Sequence, residues 1–305
     1  MRRALVLVAL FAGGCVMDLP TGVQVERPRV LGVRVDVDGD PERAAAQPGD
    51  SLTLRWLVVG SGTERPEWST AMAVCAAAPS NIGIPTCDGA PFAFQLPTPP
   101  TSEPSFSFEV PTDTEATELL VLGVLCSGGT PVFSMDDLPS CEEEEAVAER
   151  VIFSFPVART APNRHPSLSD EALTFDDAPW PASDAVPDSG CAGGDLLQVE
   201  ARGEEDPSFI RLTTSPDDRE VYEELVLGET PRVEETREEL LVSHVATAGL
   251  FTRLQSEVFD EAPVEVPWRH PEEIPADGLT VRFWFVARDQ RGGMDWVERA
   301  LCVVP

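Results

Sequence analysis

At 305 residues and 33.0 kDa, the chain has the length of two ordinary domains. With 42 % hydrophobic and 25 % charged residues it can bury cores, which excludes collagenous and wholly disordered classes. Its 53 acidic residues against 22 basic ones give a formal net charge of -31, a field that repels phosphate backbones and excludes nucleic acid as a partner. The acid is spread along the chain without an acidic tail. Every basic residue is arginine and lysine is absent, the bias of a GC-rich genome rather than of a site.

The first fourteen residues, MRRALVLVALFAGG, carry Arg2 and Arg3, an apolar stretch over 4–12 and two glycines. This pattern predicts a secretion signal over 1–14; the stretch is far shorter than the roughly 20 residues of a spanning helix. Ala12, Gly13, Gly14 and Cys15 resemble the lipobox of bacterial lipoprotein precursors, departing from it at Ala12, where that family usually has leucine. The resemblance implies that Cys15 is acylated and begins the mature chain, with 15–28 as a tether. Val16 stands where an aspartate would retain such a protein at the inner membrane, which implies the outer membrane and leaves the leaflet open. Acyl chains contributing about 0.8 kcal/mol per buried CH₂ would hold a folded domain there.

Residues 29–158 read as a first β-sandwich. RVLGVRVDV alternates Leu31, Val33, Val35 and Val37 against Gly32, Arg34 and Asp36, and SLTLRWLVV puts Leu52, Leu54, Trp56 and Val58 on one face. A Pro-Gly turn in QPGDS joins them. SFSFEV and VIFSFPV continue the pattern, while 119–125 is apolar on both faces, as a strand covered on both sides is. The strand, PGDS turn and strand at the start resemble bacterial Ig-like domains. Residues 159–190 lose the periodicity and are rich in proline, predicting a linker or an ordered crossing segment.

Residues 191–305 read as a second sandwich built from DLLQVEA, SFIRLTT, ELLVSHVA, APVEVPW and a final hairpin. That hairpin runs LTVRFWFVA, a Gly-Gly loop and DWVERALCVV. It resembles the end of an Ig-like or PKD-like domain, and most of the chain resembles uncharacterised lipoproteins of GC-rich Gram-negative bacteria with such domains. The expected fold class is therefore mainly β: two Ig-like β-sandwich domains joined by a Pro-rich segment after a lipoprotein signal peptide.

Seven cysteines leave six if Cys15 carries lipid. These allow fifteen connectivities; the preferred pairs are Cys75 with Cys87, Cys126 with Cys141 and Cys191 with Cys302, each within one body. The first two close short loops worth about 3 kcal/mol and the third about 4.7 kcal/mol on the chain-entropy account. No metal site is expected, since no C-x-x-C occurs and His165, His244 and His270 are scattered. Asp36, Asp38 and Asp40 have the opening spacing of a calcium loop, but Pro41 and Gln47 stand where glycine and glutamate belong.

A nucleophile and its base are equally hard to assemble. Ser243 and His244 are neighbours in one strand and point to opposite faces; His244 is predicted to lie on the surface. The final hairpin carries the one candidate surface. If Phe283, Phe285 and Ala287 face the core, then Arg282, Trp284 and Arg288 share the other face with Trp296 and Glu298. Tryptophan beside arginine can stack on a sugar ring or a partner side chain, unless the segment around Trp180 or the first sandwich covers it. The expectation is a non-catalytic outer-membrane lipoprotein without cofactor, presenting binding or scaffolding surfaces. The alternative is a carbohydrate-binding or adhesive module using the Trp284 face. Expected partners are the membrane through the lipid and an envelope protein or glycan.

Overall fold

The computed structural model describes residues 22–305 except 63–64, 79–84, 135–136, 159–162, 170–171, 184–185, 188–189, 193–194, 215–218, 227–230, 259–262 and 290. The signal segment and Cys15 lie outside the described residues. The first half of the chain forms β1 (Arg29–Val37), β2 (Ser51–Val59), β3 (Ser69–Ala78), β4 (Thr86–Cys87), β5 (Ala93–Gln95), β6 (Ser105–Glu109), β7 (Glu118–Ser127), β8 (Pro131–Val132), β9 (Ser140–Cys141) and β10 (Val147–Pro156). The second half forms β11 (Leu173–Phe175), β12 (Ala178–Pro179), β13 (Leu197–Glu200), β14 (Ser208–Leu212), β15 (Val221–Val226), β16 (Arg232–Arg237), β17 (Leu240–Ala246), β18 (Leu250–Phe251), β19 (Gln255–Val258), β20 (Val264–Arg269), β21 (Leu279–Arg288) and β22 (Met294–Val304). No α-helix occurs among the described residues.

The strands build two sandwiches. In the first, the sheet β1-β2-β6 faces the sheet β10-β7-β3-β4, with β5 also on β3. In the second, β12-β11-β14-β20-β18 faces β13-β22-β21-β17-β19. The chain crosses between the facing sheets at β2 to β3, β5 to β6 and β6 to β7 in the first sandwich, the Greek-key arrangement of Ig-like sandwiches. The first core interleaves Leu52, Leu54, Trp56 and Phe106 with Met72, Val74, Leu119, Val121 and Phe155. The second gathers Phe175, Trp180, Ile210, Phe251, Trp268, Phe283 and Phe285. β7 is buried on both faces, with Leu119 and Leu120 both fully inaccessible.

Two expectations change, and one element was not expected. The described residues of 159–190 form the ordered crossing segment rather than the linker: β11 and β12 join the second sandwich, and Trp180 packs edge-on against Phe175 at 5.3 Å and Phe283 at 5.0 Å. The segment holds few apolar residues, too few to show a period, yet Leu168, Leu173, Phe175 and Trp180 are all buried. Nor is 15–28 wholly a tether. Val23 and Val25 are buried, and the Val25 N–H donates to Ala246 O at 2.9 Å while Ala246 N–H donates to Val23 O at 2.9 Å. Finally, β15 and β16 form a separate antiparallel ribbon whose charged alternation gave no apolar signal.

The two sandwiches also pack on each other. Leu57 and Val59, on the outer face of β2, meet Val245, Trp284, Val286 and Met294 on the outer face of β17, β21 and β22, with Val25 closing the cluster. β1 passes close enough to β22 that a Cβ on Gly32 would lie 2.4 Å from the Met294 sulfur. Polar ties surround this contact: Arg34 to Asp295 at 2.9 Å and Arg65 to Glu298 at 2.9 Å.

Candidate functional site

The register of the final hairpin places Trp284 opposite Glu298 and Val286 opposite Trp296, so Arg282, Trp284, Trp296 and Glu298 share a face. That face is covered. Trp284 is 1 % and Arg282 4 % exposed. The Arg282 guanidinium lies 5.2 Å from the Trp284 ring centre, and its Nε donates to Glu298 at 2.8 Å. Arg288 donates to Ser243 Oγ at 2.9 Å and reaches across to Leu31 O of the first sandwich at 2.5 Å. Trp296, like Arg288 and Glu298, is half-buried, and it lines a cleft of about 310 Å³ with Arg55 and Arg65. The expectation of Trp284, Arg282 and Arg288 as an open binding surface is thus corrected. Leu57 and Val59 of the first sandwich cover Trp284, Glu298 and the Trp284 ring hold Arg282, and the Leu31 carbonyl engages the half-buried Arg288.

The histidines are interior as well. His244 is 1 % exposed, between the Phe251 and Phe285 rings at 5.6 and 6.2 Å, which corrects its expected surface place. Burial, helped by the Arg253 charge, pushes its pKa down to about 3. His165 clamps the sandwiches together. Its Nδ1 accepts the Met294 N–H at 3.0 Å, so the proton resides on Nε2, which donates to Val35 O at 2.8 Å. Burial is again the main cause lowering its pKa.

His270 comes within 2.8 Å of Ser208 Oγ, and Ser208 lies 3.0 Å from Asp176 Oδ2. The order is wrong for a nucleophile, which needs its base between itself and the acid. Here the serine is in the middle: it donates its only proton to Asp176 and accepts from His270. Ser208 is also fully inaccessible. Asp176 further accepts the Phe209 N–H at 2.8 Å and an ion pair from Arg202 at 2.7 Å. The group therefore fastens the β11–β12 turn, where Asp176 and Asp177 both hold left-handed φ values of 46° and 67°, onto β14.

A second polar cluster closes the β21–β22 loop. Asp289 accepts the N–H groups of Arg291 and Gly293, each at 2.7 Å, and the Asn163 amide at 2.6 Å. Glu238, 1 % exposed, approaches Arg291 at 3.4 Å. Burial, then repulsion from Asp289, raises its pKa to about 8, which favours its protonated form. Asp36, first of the spaced aspartates, is occupied by Arg34 and Arg55. Among the described residues no three His, Cys, Asp or Glu side chains are placed to hold a metal ion.

The six cysteines join as Cys75–Cys87, Cys126–Cys141 and Cys191–Cys302, with Cα separations of 5.5, 5.9 and 5.5 Å. Two open features are larger than the cleft at Trp296. A depression of about 990 Å³ lies along the second sandwich, with Arg202, Glu204, Arg269 and His270 on its walls; the Arg269–Glu204 ion pair at 3.1 Å crosses it. A groove of about 470 Å³ runs between β1 and β10 and is completed by Arg288 and Met294 of the second sandwich. Sequence reasoning missed this groove. Its only signal was an unprotected apolar residue, Ile152, in a strand closed by Pro156.

No family model matches the chain, and no curated protein matches it. Among solved structures, the D00-D0 domain of Intimin aligns over 90 % of this chain and 100 % of that chain, at 7 % identity and a TM-score of 0.24. The D0-D1 domain of Intimin aligns over 89 % and 98 %, at 9 % identity and a TM-score of 0.21. The Ig-like assignment accordingly stands on the strand order and register described above.

Proposed function

We propose that this chain is a non-catalytic, lipid-anchored scaffold of the bacterial cell envelope. The observation that carries the scaffolding part is the Trp284 contact, which joins two sandwiches into one body and leaves a groove at their junction. The polar groups that resemble catalytic sets are consumed internally, by Asp176 on Ser208 and by backbone donors on Asp289. What the molecule offers to others is its outer surface. Three disulfides favour an oxidising compartment, and the lipobox-like run ending at Cys15 supplies the anchor. The outer membrane follows from Val16 in the same resemblance.

The test is expression of the native sequence and of Cys15→Ser in a Gram-negative host, followed by fractionation and mass analysis of the N-terminus. Native protein is expected in the outer-membrane fraction with an acylated Cys15, and the variant in the soluble envelope fraction. A native chain recovered water-soluble with Met1 retained would contradict the anchored reading.

A further inference from the structure

The two sandwiches end their sheets differently. In the second, β22 has a neighbour on each side, β21 antiparallel and β13 parallel from Leu197↔Leu301 to Glu200↔Val304. In the first, β10 terminates the corresponding sheet and pairs, among the described residues, with β7 alone. Parallel pairing begins on its far side and stops at once: Ala46 N–H donates to Pro156 O at 3.2 Å, and Ala158 N–H donates to Ala46 O at 2.8 Å.

Those two bonds set the phase of the free edge. Pro156 O and Ala158 N–H face away from β7, so by the two-residue alternation of a strand the N–H and C=O groups of Ala148, Arg150, Ile152 and Ser154 face away too. Pro156 occupies such an outward position, where its missing N–H removes no ladder bond. The facing edge of β1 is treated otherwise. Its Leu31 carbonyl accepts from Arg288 and its Val35 carbonyl from His165, while Ile152 at the centre of β10 is 55 % exposed.

We propose that β10 is a strand-acceptor edge, which takes an extended segment of a basic polypeptide in the place that β13 fills in the second sandwich. The proposal deepens the scaffolding reading and rests on it. Four outward donors and four outward acceptors call for another backbone, and the open edge matches about five to seven residues at roughly 3.3 Å each. Val33, Trp56, Val151, Phe153 and Met294 line the groove and take apolar side chains at alternate positions. The net charge of -31 opposes a second copy and attracts a basic segment at long range, while Arg150 and Arg288 against Glu149 at the groove itself direct its Lys or Arg to positions clear of Arg150.

The experiment presents the full chain with a pool of heptapeptides carrying Val, Ile or Thr at alternate positions and Lys or Arg between them. Hydrogen exchange is followed residue by residue. Selected peptides are expected to slow exchange at Arg150 and Ile152 by about tenfold or more, to lose this effect when their alternate amides are N-methylated, and to bind the Ile152→Pro variant about tenfold more weakly. Ile152→Thr, which keeps the amide and adds no charge, should still bind and controls for the loss of the side chain. Failure of every peptide to protect β10, equal binding of the N-methylated forms, or β10 amides already slow in the free chain would overturn the proposal. So would protection of β10 by self-association. Peptides that bind and protect another surface would overturn the β10 assignment while leaving the scaffolding reading intact.

Discussion

His244 shows what a single side chain contributes. It sits in the aromatic core of the second sandwich with Nδ1 buried and, among the described residues, unpartnered, so the folded state favours the neutral ring. Its pKa falls from 6.5 to about 3 on folding, meaning that the unfolded chain binds the extra proton between those values. The stability contributed by the neutral ring is complete above about pH 6.5 and is lost as pH falls toward 3. His165 and His270, both lowered by burial first, act in the same direction. Glu238 acts oppositely: its raised pKa favours the fold at low pH, and that contribution fades as pH rises toward 8. Replacing His244 with Phe should therefore reduce the stability lost between pH 7 and pH 5 by about 2 kcal/mol. Urea unfolding at the two pH values checks this, and an unchanged pH dependence would place the histidine's titration elsewhere.

At the scale of elements, the period-two strands were legible in the sequence and the faces that join them were only half so. β1, β2, β6 and β21 follow their alternation because one face of each is core. β3 escaped notice because STAMAVCAAA is small and apolar throughout, with no polar face to mark the period, a consequence of cover on both sides. The ends of SLTLRWLVV and RFWFVA carried a clue that was underused. Leu57 and Val59 fall on the outward face of one strand, and Trp284 and Val286 on that of another. Two outward apolar pairs are most simply satisfied by each other. Removing the larger partner, Trp284→Ala, should cost about 3 to 5 kcal/mol, because a buried indole and its arginine cover are lost together. Denaturant unfolding measures the loss. A cost under about 1 kcal/mol would mean that the contact is marginal.

For the whole molecule, the contact changes what the chain is. Two Ig-like sandwiches on a free linker would sample many orientations. Here residues 22–28 thread between β17 and β1, His165 bonds to both sandwiches, and the segment read as a linker supplies Trp180 to the second core. None of this was visible as periodicity, since it depends on a few residues far apart in sequence. The cell-envelope reading rests instead on the short N-terminal pattern, which lies outside the described residues, and on the three disulfides. The groove beside β10 exists only while the sandwiches keep their mutual position, because Arg288 and Met294 form one of its walls. The account's central claim is therefore this rigidity. Nitroxide labels placed through non-cysteine chemistry at Glu109 and Glu257, both exposed and in different sandwiches, measure it directly by pulsed dipolar spectroscopy. The account predicts a single narrow distance distribution in the native chain that broadens in Trp284→Ala; a broad distribution in the native chain would contradict it.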